Sequence, residues 1–193
     1  MFSDESTFKL IDSRSVTVRR PSGSRFNHRY TISTVKHPAS VMVWGCFNGK
    51  VGRGGLYFLP KNVTMNGPRY KVVLEEHLVP WMERHNCTWF LQDGAPCHKS
   101  KVVMDSLNQL KDKFQVMDWP GNSPDLNPIE NCWSFMKLKL KDDRAITSLP
   151  KLIEAIKMMW VRDLPQSYFK ELAHSMPRRI KSVLENKGYM TKY

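Results

Sequence analysis

The 193 residues carry 30 Lys and Arg against 18 Asp and Glu, a formal net charge of +12. With 41% hydrophobic and 25% charged residues, the composition excludes disorder over the whole length and allows one domain with a real core. No apolar run reaches the roughly eighteen residues of a membrane span and no secretory signal opens the chain, while Cys46, Cys87, Cys97 and Cys132 form no paired C-x-x-C; a membrane protein, a disulfide framework and a structural zinc site are therefore excluded, and a reducing, intracellular setting is expected.

Residues 7 to 36 alternate β-formers with basic and turn residues, and RRPSGSR reads as a loop, so short antiparallel strands are expected there. SVMVWGCF (40–47) is a strong strand, GKVGRGG a turn, and LYFLP (56–60) a second strand. Val72, Val73, Leu74, Leu78 and Met82 stand near helical spacing in residues 68–85, with Pro68 at the first helical position. TWFLQD (88–93) reads as a buried strand ending on Asp93, residues 97–112 as a helix, and FQVMDW (114–119) as another strand. Next comes WPGNSPDLNPIENCW (119–133), stiffened by three prolines. Ile129, Cys132, Trp133, Met136 and Leu140 then mark one helical face, and Leu149, Leu152, Ile153, Ile156 and Trp160 another. A last helix, broken or kinked at Pro177, runs to a C-capping Gly188. Trp44, Trp89, Trp119, Trp133 and Trp160 fit core positions. Strands first, then alternating helices and strands, predict a mixed α/β sheet with helices packed on it.

The positive charge is concentrated at two places. Lys9, Arg14, Arg19, Arg20, Arg25, Arg29 and Lys36 face one acid, Asp12; Lys170, Arg178, Arg179, Lys181, Lys187 and Lys192 face Glu171 and Glu185. Solubility accounts for a surplus of this kind, but two basic stretches around a more neutral middle suit phosphate contacts, and nucleic acid is the commonest polyanion.

Three acids stand out against this background. Asp93 closes an apolar strand, where open α/β sheets place their sites; Asp4 lies beside an apolar stretch, MFSDES; Glu130 opens a helix after the strand ending at Trp119. Converging carboxylates in a DNA-binding chain repel one another unless cations sit between them, and two Mg²⁺ ions about 3.5–4 Å apart are the usual solution. Each acid also fits an ordinary structural role. Asp4 can be a solvated residue at a chain start, Asp93 a turn residue before Gly94, and Glu130 the N3 member of a capping box opened by Asn127 and Pro128.

WPGNSPDLNPIENCW closely resembles the signature before the last catalytic acid of Tc/mariner-type DNA transposases. FSDES (2–6), STVKHPASVMVWGCF (33–47), WFLQDGAPCHKS (89–100) and SMPRRIKSVLENKGYMTKY (175–193) follow in that family's order, so the resemblance covers nearly the whole chain. It implies a ribonuclease-H-like mixed sheet flanked by helices, with C-terminal helices, as one catalytic domain over 1–193. It also implies an Asp, Asp, Glu triad at Asp4, Asp93 and Glu130 holding two Mg²⁺ ions, with Mn²⁺ as substitute. Cut-and-paste transposition at a TA dinucleotide, double-stranded DNA as partner, a homodimer in the synaptic complex and a nuclear location follow from the same resemblance. Candidate contacts to DNA or to the active site are His98, Lys99, Asn127, Lys137, Arg178 and Arg179; His98 equally fits a hydrogen-bonded loop histidine, and KLKLK (137–141) a solvated face. Prolines at 120, 124 and 128 fix φ and restrict the residues before them, which suits a connector that aims Glu130. In that role Glu130 is expected to cap its helix and bind metal together.

Two departures from the family pattern stand in the sequence. Thirty-six residues lie between Asp93 and Glu130, slightly more than the family's commonest interval. The helix-turn-helix domains and most of the first strand are expected to be missing before Asp4, as in a fragment or a decayed gene copy. A catalytically inactive DNA-binding remnant is therefore the alternative, and a nuclease or integrase of the same fold the further rival.

Overall fold

The computed structural model describes residues 1–10, 19–31, 38–143 and 145–193. Strand β1 (Phe2–Lys9) pairs antiparallel with β2 (Ser40–Asn48), and β2 antiparallel with β3 (Gly52–Phe58). Two short parallel strands, β4 (Trp89–Phe90) and β5 (Gln115–Val116), continue the sheet on the other side. The junction is a parallel bridge between Phe2 and Leu91, closed by Ser3 N–H donating to Leu91 O at 3.1 Å and Leu91 N–H to Met1 O at 2.8 Å. The strands therefore lie in the order β3-β2-β1-β4-β5.

Side chains of β1 and β2 alternate between two cores, because successive strand residues point to opposite faces. On one face Phe8, Val41, Val43 and Phe47 pack with α4 (Ile129–Asp142), α5 (Leu149–Met158) and α6 (Gln166–His174) through Trp133, Ile156 and Phe169, and with the wide turn Met159–Asp163 after α5 through Trp160. Aromatic rings link this core in series: Phe8–Trp133 edge to face at 5.9 Å, Trp133–Trp160 stacked at 5.6 Å and Trp160–Phe169 edge to face at 5.5 Å. On the other face Trp44, Cys46 and Phe90 pack with Tyr70, Leu74, Leu78 and Met82 and with Val103 and Leu107. Those residues belong to α1 (Gly67–Val73), which runs through a wide turn at Leu74–Leu78 into α2 (Val79–Arg84), and to α3 (Lys101–Gln109).

Several sequence expectations change in detail. The strands foreseen before residue 37 shrink to the end of β1: residues 19–31 are loop apart from a 3₁₀ turn at His28–Tyr30, and 11–18 and 32–37 lie outside the described residues. β1 does not end near Asp4 but runs on to Lys9. Half of the GKVGRGG turn is strand. Its glycines allow close approach, since a Cβ at Gly54 would meet Cys46 O at 2.7 Å. The expected 88–93 strand is two residues with one bridge, and Trp89 is 52% exposed, because a strand buries alternate side chains and Phe90 takes the inner side. The last helix breaks at Ser175, between α6 and α7 (Met176–Glu185). Pro177 then falls in the first turn of α7, where its missing N–H is not needed.

Gly45 pairs with Asp4 across β1 and β2, and a Cβ there would meet Trp133 Cη2 at 2.6 Å and Leu56 Cδ2 at 2.9 Å. Gly45→Ala therefore overpacks the core where α4 meets the sheet, and a loss of about 1–3 kcal/mol is expected in denaturant unfolding.

Candidate active site

α4 lies along β1, and three side chains fasten the two together. Asn127 Nδ2 donates to Ser3 O at 2.9 Å, Trp133 Nε1 to Asp4 Oδ2 at 3.0 Å, and Lys137 Nζ to Ser6 Oγ at 2.7 Å. Glu130 stands one helical turn before Trp133, so it shares that face. Its carboxyl lies close enough to that of Asp4 for each to alter the other's proton affinity. The capping box is absent: Pro128 occupies the N-cap with no side-chain cap bond, because the Asn127 amide is committed to β1 and its Oδ1 is buried without a partner. Glu130 is thus not held as a cap, and its carboxyl is left for the Asp4 side.

Burial raises the Asp4 carboxyl to about 8, and the negative charges of Glu130, Glu5 and Asp93 push in the same direction. Glu130 is raised as well, by burial first, with Lys137 and the neighbouring Asp4 carboxyl opposing and Asp93 adding to it. Asp93, at the sheet edge, behaves oppositely. Its carboxyl is lowered by the His98 hydrogen bond, by the Ala95 N–H and by the charges of His98 and Lys99. Nδ1 of His98 donates to Asp93 Oδ1 at 2.7 Å, and Ala95 N–H donates to the same oxygen at 3.0 Å. Among the described residues no three His, Cys, Asp or Glu side chains form a closed metal-binding group. Asp4 and Glu130 are adjacent; Asp93 reaches them through charge.

The profile described as "DDE superfamily endonuclease" matches residues 1–153. The transposase of transposable element Tcb1 from Caenorhabditis briggsae is 37% identical over the whole chain, which spans 70% of that protein. That of Tc1 from Caenorhabditis elegans is 36% identical with the same coverage. The chain belongs to the DDE superfamily, among the Tc1/mariner transposases. Its fold is that of the Mos1 mariner paired-end complex with Mn, with a TM-score of 0.81 at 19% identity over 98% of this chain and 56% of that one. The crystallised catalytic domain of Mos1 transposase superposes with a TM-score of 0.70 at 21% identity, over 79% of this chain and 76% of that one. The chain thus spans little more than half of the solved full-length transposase.

The remaining candidate residues of this transposase chain separate into surface and interior. Lys99 is exposed, its ammonium 3.0 Å from where a Cβ on Gly94 would sit, beside a cleft of about 650 Å³ that Asp93, Lys111 and Trp119 also line. Lys137 also lies over the Phe8 ring at 5.5 Å. Arg178 is exposed. Arg179, expected as a contact to DNA or to the active site, is buried at 2% exposure and donates to Ser175 Oγ and, on either side of Glu130, to Asp125 O and Asn131 Oδ1. His98 is buried as well. Its ring stacks on Tyr70 at 4.0 Å, and its Nε2 donates to Glu5 Oε1 at 3.2 Å. Burial alone would lower His98, but the bonds to Asp93 and Glu5 outweigh it and raise the imidazole to about 10.

Glu5 was not singled out from the sequence. The signal was present in FSDES: the residue next to Asp4 in a strand must face the other side of the sheet, where His98 waits for a second acceptor. Trp133, read only as core, is also the donor to Asp4.

These shifts set a pH dependence for the protein freed of divalent cations. An acid raised in the folded state holds a proton that the unfolded chain has released, so Asp4 contributes stability below about 3.8 that is lost as pH rises towards about 8. His98 has the same sign but a later window, from 6.5 to about 10. In chelator, the melting temperature should fall as pH rises from 5 to 8, and Asp4→Asn should flatten that fall. An unchanged slope in Asp4→Asn would exclude Asp4 as its source.

Proposed function

We propose that this domain performs the chemistry of cut-and-paste DNA transposition: hydrolysis of a phosphodiester at an element end, then attack of the freed 3′-hydroxyl on target DNA at TA. Asp4, Asp93 and Glu130 are the proposed catalytic acids. The observation that carries the reading is the pair of half-buried to buried carboxyls, Asp4 and Glu130, that repel one another inside a chain of net charge +12. Hard oxygen donors with raised proton affinity suit a divalent cation, whose charge would offset the repulsion now met by a proton. The solved Mos1 complexes include one with Mn and one with Mg, which supports Mg²⁺, or Mn²⁺ in its place, as the ion here; two ions are proposed. When bound, such ions would lower the pKa of the attacking water or hydroxyl and stabilise the leaving oxygen.

The chain's own residues orient and neutralise. Trp133 fixes one oxygen of Asp4 and leaves the other without a bond to it. His98, braced by Glu5 and Tyr70, fixes the Asp93 carboxylate, and Lys99 and Lys137 supply positive charge beside the acids. Both the transposon end and the target duplex are proposed partners, in a homodimeric synaptic complex in the nucleus. The presence of all three acids and of the surrounding bonds disfavours the inactive remnant.

Glu130→Gln keeps the side chain's shape and removes the charge that holds a hard cation. Without metal its stability should change by at most about 1 kcal/mol, or rise as repulsion is relieved. Mn²⁺ should raise the melting temperature of the unsubstituted protein by mass action and leave that of the variant nearly unmoved. Mn²⁺-dependent strand cleavage should drop roughly 10²-fold or more, the scale of losing a group that stabilises the transition state. Cleavage at an undiminished rate would remove Glu130 from the triad.

DNA affinity of the domain should fall steeply with salt, because Lys and Arg release counterions from phosphate. Arg178→Ala should reduce the slope of log K against log salt by about 1. Binding that is insensitive to salt would contradict a phosphate-dominated interface.

A further inference from the structure

α4 begins without a side-chain cap, yet Glu130 sits in its first turn. Its first N–H groups are met by backbone alone, Glu130 N–H donating to Asn127 O and Asn131 N–H to Pro128 O, both at 3.2 Å. The side chain that ties this stretch to the rest of the molecule is Arg179. Its guanidinium donates at 2.8 Å to Asp125 O before Glu130 and at 2.7 Å to Asn131 Oδ1 after it, so one rigid fork brackets the acid on both sides. The fork is itself held by Ser175 Oγ at 2.7 Å.

The segment that follows α7 comes back to the same place. Lys187 and Gly188 take positive φ, 53° and 83°, which reverses the chain. Asn186 Nδ2 holds the reversal by donating to Tyr189 O and Met190 O at 3.2 and 2.7 Å. Thr191 then donates from both its backbone N–H, at 3.1 Å, and its hydroxyl, at 3.0 Å, to one oxygen of the buried Asp125 carboxylate. The Tyr193 ring covers the Arg179 guanidinium at 4.7 Å. Asp125 is therefore gripped at its carbonyl by Arg179 and at its carboxylate by Thr191. Its side chain is spent on this brace.

We infer that residues 186–193, with Arg179 and Asp125, form a brace whose role is to position Glu130. The inference rests on the proposed role of Glu130, and Thr191, Arg179 and Asp125 are positioning residues that touch no reacting atom. The brace acts on the connector and the first turn of α4, and only through them on the carboxyl.

The test is hydrogen exchange along the whole chain, with Mn²⁺ titration followed by thermal shift, for Thr191→Val, Thr191→Ser, Arg179→Lys and Glu130→Gln. Valine keeps the shape of threonine and removes the hydroxyl donor. Thr191→Val should speed exchange at the amides of Ile129–Trp133 about fivefold to tenfold, the equilibrium effect of one lost hydrogen bond, while β2 and α5 stay protected. Arg179→Lys, which keeps charge but loses the fork, should do more. Apparent Mn²⁺ affinity should weaken with the exchange, and Thr191→Ser should restore both. Glu130→Gln should lose the Mn²⁺ response with exchange unaltered, so failure of the catalytic reading and failure of the brace give different patterns. The brace is overturned if exchange at 129–133 is unchanged in Thr191→Val and Arg179→Lys, or if it rises uniformly across the molecule as it would for general destabilisation.

Discussion

The indole of Trp133 bonded to the Asp4 carboxylate is the constraint on which the rest of the site depends. It joins the sheet to α4 at the point where each carries an acid, and the ring belongs at the same time to the aromatic series that builds one of the two cores. Gly45 opposite Asp4 makes room for that ring. Packing and chemistry are thus the same contact: moving Trp133 to relax the core would move Glu130, and moving α4 would strip Asp4 of its donor. Asn127 on Ser3 and Lys137 on Ser6 extend the seam in both directions.

The opposing consideration is electrostatic. A buried and a half-buried carboxyl beside each other are costly, and here the cost appears as raised proton affinity. Lys137 relieves part of it at Glu130, while Arg179 is spent on Asp125 O, Asn131 and Ser175. Asp93 is treated differently, lowered by a charged imidazole that Glu5 holds from below. Three acids in one neighbourhood therefore have unequal affinities for a proton, set by burial for two and by a partner for the third. A surplus of basic residues elsewhere on the surface makes the approach of a polyanion favourable in spite of the local negative charge.

Legibility in the sequence followed the range of the interaction. Elements with a strong local signal came through: β2 from its Val and aromatic run, α4 and α5 from their apolar spacing. The short strands β4 and β5 were overestimated, since apolar runs say that a segment is buried but not how many residues find a ladder partner. The capping box on α4 was read from a correct local pattern and lost to a tertiary contact: the Asn127 amide has a better use on β1 than on its own helix. The burial of Arg179 was not legible, because charge alone cannot distinguish a surface arginine from one buried against a backbone carbonyl.

Residue types and their order thus determined the family, the mixed α/β class and the basic surplus, and marked the three acids as candidates, because these depend on local pattern and on motif. Only the tertiary structure decided that Asp4 and Glu130 come within reach of each other's charge while Asp93 is held by His98, that Glu5 faces away from its neighbour, and that the last residues return to Asp125. Each of these joins groups far apart along the chain, and such pairings are chosen by how two faces of a sheet fill and by which buried polar atoms must find partners. No local pattern records that choice, since it is made only when the strands and helices are already side by side.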